Sequence, residues 1–138
     1  MRDVRDPDAW RSFADEDLQA ARVLSEDATE RLAHTVAFHA HQSAEKYLKA
    51  LLVKSEGGEP PKIHDLRLLL TKVAQYVPEI ETSDMEDVTN GLDRFYIPSR
   101  YPVEVGGPEG PITASEAADA LDWAEAIAAE VRPRLMSL

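Results

Sequence analysis

An all-α, up-and-down antiparallel bundle of about five helices is what the sequence predicts, and three observations predict it. Apolar residues recur at three- and four-residue steps in five segments, hydroxyl-x-x-Glu capping boxes open two of them, and glycine and proline gather between them. No strand is needed and no 20- to 50-residue period appears. The 138 residues suit a single domain with its core at about 8–135.

The first helix is expected at about 8–27, where Trp10, Phe13, Leu18, Ala21 and Leu24 share a side and Pro7 suits the entry. The second and longest runs from about 29 to 55, free of glycine and proline and rich in Ala, Leu, Glu and Lys. Gly57, Gly58, Pro60 and Pro61 stop it. The third is expected at about 62–77, with Ile63, Leu66, Leu69, Leu70, Val73 and Val77 aligned and Pro78 as its end. Ser83-Asp84-Met85-Glu86 reads as a capping box opening a fourth helix that reaches about Ile97, with Gly91 as a weak point. Residues 98–111 hold four of the nine prolines and three of the six glycines and form the one long loop. Thr113-Ala114-Ser115-Glu116 is the second capping box, opening a fifth helix through Leu121, Trp123, Ala124, Ile127 and Val131.

Composition excludes several function classes. With no cysteine there are no disulfides, thiolate metal sites or cysteine nucleophile. The first eight residues lack the apolar core of a signal peptide and no apolar run approaches a membrane span, so a soluble protein in the cytoplasm, without a membrane partner, is expected. The formal net charge of -11 disfavours coating a long polyanion but leaves room for a pocket holding one nucleotide.

Along the second helix, Val36, Ala37, Ala40, Ala44, Tyr47, Leu48 and Leu51 fall in an apolar arc of roughly 120° that should face the core. His39, Gln42, Lys46 and Lys49 form a polar stripe roughly 80° wide, ordinarily solvated surface. The order of residues singles the helix out. Phe38-His39-Ala40-His41-Gln42-Ser43-Ala44-Glu45-Lys46-Tyr47-Leu48-Lys49-Ala50-Leu51-Leu52 is followed by Ile63-His64-Asp65-Leu66 and then by Tyr96-Ile97-Pro98-Ser99-Arg100-Tyr101-Pro102. These three blocks, in this order, resemble the HEPN family (higher eukaryotes and prokaryotes nucleotide-binding) over most of the chain.

The resemblance implies a helical bundle that commonly forms a homodimer and often has a minimal nucleotidyltransferase as partner in a toxin-antitoxin pair. It also implies a nucleotide or RNA ligand. On the matching positions, Lys46, Lys49 and Arg100 are the candidate phosphate donors and Tyr96 and Tyr101 the candidates to stack a base, with His39, Gln42 and His64 completing the set. Bland roles stand beside these: Arg100 and Tyr101 anchoring the loop, Lys46 facing water, and His64 with Asp65 serving the start of the third helix.

One branch of the family resembles metal-independent RNA-cleaving toxins, with an Arg followed roughly four to six residues later by a His general base. Here Arg31 stands too far before His39 and in the wrong helix, and no histidine follows Arg94 or Arg100. Catalytic residues are therefore not assigned, and a ribonuclease with a non-standard site remains an alternative. The other is a purely structural dimerisation module, suggested by the apolar Phe95, Tyr96, Ile97, Tyr101, Val103 and Val105. No cofactor or metal is expected: His39 and His41 splay on a helix, and His34 and His41 are roughly 10 Å apart along it.

Overall fold

The computed structural model describes residues 3–27, 30–96 and 111–136. Five α-helices account for most of them: α1 (Pro7–Ser25), α2 (Ala33–Glu56), α3 (Leu66–Ala74), α4 (Ser83–Asp93) and α5 (Ala114–Met136). Single 3-10 turns precede α2 (Glu30–Leu32) and α4 (Pro78–Ile80), and no strand occurs among the described residues. The fold is the helical bundle expected.

The element ends follow local chemistry. Asp6 caps α1 by accepting from the Asp8 amide, and Pro7 supplies the first turn. Leu32 offers α2 no side-chain cap, so the chain enters it through a 3-10 turn. Gly57 and Gly58 leave it with φ of 78° and 71°, the left-handed region that favours glycine. Expected at 62–77, the third helix is shorter at both ends. Asp65 caps it at the Leu68 amide, and Val77 is held extended (φ -132°) because it precedes Pro78. At α4 the cap is Thr82, which accepts from Met85, while Glu86 turns away to the Arg67 guanidinium at 2.7 Å. The chain turns at 94–95 after α4; Ile97 and the rest of the expected loop up to 110 lie outside the described residues. The second capping box forms as expected: Thr113 Oγ1 accepts from the Glu116 amide at 3.1 Å and Glu116 accepts from the Thr113 amide at 3.0 Å.

Helix directions follow from paired residues. Trp10 meets Lys49, Phe13 meets Lys46 and Asp17 meets His39, so α1 and α2 are antiparallel. Asp15 meets Arg132 and Arg22 meets Glu125, so α1 and α5 are antiparallel too. After Gly57 and Gly58 the chain returns along α2 without regular structure, bringing His64 back beside Glu45 before α3 begins. The core lies among all five helices, with Leu48, Leu52, Leu69, Leu70, Leu92, Ile127 and Val131 nearly or fully buried. Ser43 is also buried and donates to the Ala14 carbonyl across the α1–α2 seam.

Gly91 faces the Trp123 ring so closely that a Cβ would lie 2.7 Å from two of its carbons. Alanine there gains about 1 kcal/mol of helix propensity, but pushing back an indole held against Phe95 costs more. Gly91→Ala should lose a net ~1–2 kcal/mol and lower the Tm by several degrees in a thermal melt; an unchanged Tm would show that the ring yields freely.

Candidate functional site

Helix α2 is central, packed by α1, α3, α4 and α5, and its polar stripe is correspondingly not the solvated surface expected. Lys49 is 5% exposed and Glu45 4%. A buried ammonium needs partners, and Lys49 has two: the Glu45 carboxylate at 2.9 Å and the Trp10 ring, whose centroid is 5.8 Å away. One turn earlier, Lys46 pairs with Asp17 at 2.5 Å and sits 5.7 Å from the Phe13 centroid. Asp17 also accepts His39 Nδ1 at 2.9 Å. Gln42 is half-buried between them. Each cation of the stripe is thus matched by a carboxylate and layered against an aromatic ring of α1.

Glu45 leads to a second group. Its carboxylate faces His64 Nδ1 at 3.1 and 3.2 Å, so that nitrogen carries the hydrogen and Nε2 is the acceptor. The His64 side chain is about half exposed, and its ring stacks on Tyr96 with centroids 5.6 Å apart and planes 15° from parallel. Tyr96 also packs on His41, at 4.8 Å. His41 is wholly buried: Nε2 lies 3.1 Å from Asp93, while Nδ1 makes no hydrogen bond and lies 4.0 Å from Glu45.

Asp93 closes the network. Its Oδ1 accepts the Leu66 amide at 2.9 Å and its Oδ2 the Arg67 amide at 3.1 Å, two first-turn donors of α3. Burial would raise the Asp93 carboxyl, but the hydrogen bonds from His41, Leu66 and Arg67 outweigh it and hold the pKa below the usual value. The ionised Asp93 thereby fixes the hydrogen of His41 on Nε2.

Beside the stripe, two clefts share Trp10 and Val4. One, of about 240 Å³, is walled by Trp10, Phe13, Ala9 and Lys46; the other, of about 320 Å³, by Trp10, Lys49, Glu59, Pro60, Pro61 and Lys62. The indole Nε1 donates to the Val4 carbonyl at 2.7 Å and so orients the ring between them. Lys62 is exposed and has no ion-pair partner among the described residues, unlike Lys46 and Lys49.

Of the residues singled out from sequence, the structure brings His39, Gln42, Lys46 and Lys49 along one seam and joins His64 and Tyr96 to it through Glu45. Arg100 and Tyr101 lie outside the described residues. Sequence reasoning did not select Trp10, Phe13, Asp17, His41, Glu45, Lys62 or Asp93. The i, i+4 spacing of His41, Glu45 and Lys49 was the available signal for two of them; Trp10 and Phe13 read as core. Among the described residues no three His, Asp or Glu side chains converge as a metal site would require, and no helix is long and apolar enough to cross a membrane.

Asp93 ties acid stability to this site. Because its pKa is depressed on folding, it stabilises the protein above its unfolded value, and that contribution is lost as pH falls through the folded pKa. Asp93→Asn should cost ~1–2 kcal/mol near neutral pH by weakening acceptance from two amides and His41. Urea melts from pH 7 to pH 3 should then show a shallower acid decline in the variant; parallel curves would exclude the linkage.

The HEPN domain family matches residues 8–133. Among solved structures, TT1696 from Thermus thermophilus is similar with 30% identity and a TM-score of 0.74, over 93% of this chain and 97% of that one. ST0689, described as an archaeal HEPN homologue, is similar with 27% identity and a TM-score of 0.71, over 98% of this chain and 99% of that one. A search of curated proteins finds no significant match.

Proposed function

The chain belongs to the HEPN domain family, and on that premise we propose that it binds a nucleotide, or the end of an RNA-like strand, in the paired clefts beside Trp10. The observation that carries this reading is the oriented indole standing between two clefts, with exposed Lys62 on the rim of one. An aromatic face takes any base, and an unpaired ammonium takes phosphate as a point charge. Lys46 and Lys49 serve differently from a phosphate clamp: neutralised by Asp17 and Glu45, they back the aromatic rings. The net charge of -11 favours a ligand with few phosphates over a long strand. Arg100 and Tyr101, five residues or fewer beyond Tyr96 in the chain, extend the proposal to the family's third block. Family membership also supports a homodimer and a nucleotidyltransferase partner, with this chain on the toxin side of the pair.

Calorimetric titration of nucleoside mono- and triphosphates against wild type, Trp10→Ala and Lys62→Ala tests the ligand. Loss of the stacking face should weaken binding about tenfold or more. No heat from wild type at millimolar nucleotide would sink the reading and leave the structural module.

A second reading, a metal-independent ribonuclease with a non-standard site, is favoured by the Glu45–His64 pair. A buried carboxylate orients the imidazole and leaves Nε2, without a hydrogen-bond partner among the described residues, as a general base toward a ribose hydroxyl. Labelled RNA incubated with wild type in chelator should be cleaved to a 2',3'-cyclic phosphate end, and His64→Gln should abolish this. RNA left intact by wild type removes the reading.

A further inference from the structure

Helix α1 turns a different face toward α5. Asp15, Leu18, Gln19 and Arg22 lie roughly 80–180° around the helix from Trp10, well away from the Trp10, Phe13 and Asp17 side. With Tyr47, Ala128 and Arg132 they enclose a cleft of about 420 Å³. Leu18, Ala128 and the wholly buried Tyr47 supply its inner lining. Its rim carries two guanidinium groups, each nearly half exposed.

We propose that this cleft is a second binding site, for the dianionic phosphate of a small phosphate monoester, held between Arg22 and Arg132. Three observations support it. The lining residues carry two cations and one carboxylate, with Glu125 paired to Arg22 beside them, in a chain whose net charge is -11. Both arginines keep donors in hand: Arg22 gives Nε and Nη2 to Glu125, and Arg132 gives Nη1 to Asp15 and also bonds the Tyr47 hydroxyl oxygen, out of five N–H groups each. Their present partners can also release them. Arg22 and Glu125 form an exposed pair, which contributes little. Asp15 keeps the Tyr47 hydroxyl and the Arg11 guanidinium, the latter at 2.9 Å, if Arg132 turns to a ligand.

Tyr47 and Asp15 hold their protonation states near neutral pH. Burial and the bond to Asp15 push the Tyr47 hydroxyl up to about 12, so it stays a neutral donor. For Asp15, burial acts upward, but Tyr47, Arg132 and Arg11 prevail and hold the carboxyl below its usual value.

Calorimetry with ribose 5-phosphate and with inorganic phosphate, against sodium chloride of matched ionic strength, tests this. Saturable binding of ribose 5-phosphate is expected, weakened about tenfold or more in Arg22→Gln and in Arg132→Gln, since each removes a charge-assisted contact. A response to inorganic phosphate alone, with the same sensitivity, assigns the site to the free anion. Circular dichroism checks folding, and Arg22→Gln, on an exposed pair, gives the same answer if Arg132→Gln is unstable. Trp10→Ala should leave this binding unchanged, which separates the site from the nucleotide cleft. Absence of saturable binding by wild type, or binding that survives both arginine substitutions, overturns the proposal.

Discussion

Asp93 stands at the end of α4, yet its carboxylate is shared with α3 and α2. It accepts the amides of Leu66 and Arg67 where α3 begins and the Nε2 hydrogen of His41 in the middle of α2. A helix of nine residues is marginal by itself, and its unpaired first-turn amides are a recurring weakness. One carboxylate from outside answers two of them. The same carboxylate bonds the buried His41, on which Tyr96 packs while stacking on His64. The start of α3, the packing of α4 and the aromatic pair at the surface are thus one arrangement.

Glu45 plays the corresponding part on the other side of α2. It neutralises Lys49 under Trp10 and orients His64 beside Tyr96, so the clefts along α1 and the ring pair near α4 meet at one buried carboxylate. A charge so deeply placed is tolerated because its oxygens are met by an ammonium and an imidazole and its aliphatic stem lies in the core. This coupling lets distant blocks of sequence share one site.

Features written in neighbouring residues could be read from the sequence. The Thr113–Glu116 box, the stop at Gly57 and Gly58, and the apolar arc of α2 from Val36 to Leu51 all depend on contacts within a turn or two, and all form. The polar stripe was misleading because its exposure is decided elsewhere: Lys49 is buried by Trp10, nearly forty positions earlier, and no spacing within α2 shows that. Asp93 was illegible for the same reason, its partners being more than twenty-five residues away. His64 lay between these cases. Its place after Pro60 and Pro61 marked a helix start, but the partner across the extended return could not be seen until the chain was folded.

The placement of α2 has a consequence for how the molecule comes apart. With the other helices packed around it, its amides reach solvent only when they separate from it, so their exchange with deuterated water should track global unfolding. The short α3 is tied to that central helix through Asp93 and the 57–65 stretch, and Leu66, Leu69, Leu70 and Val73 are fully buried in the same core. The domain therefore has one slow interior post, and His64 stands where the returning chain rejoins it at Glu45.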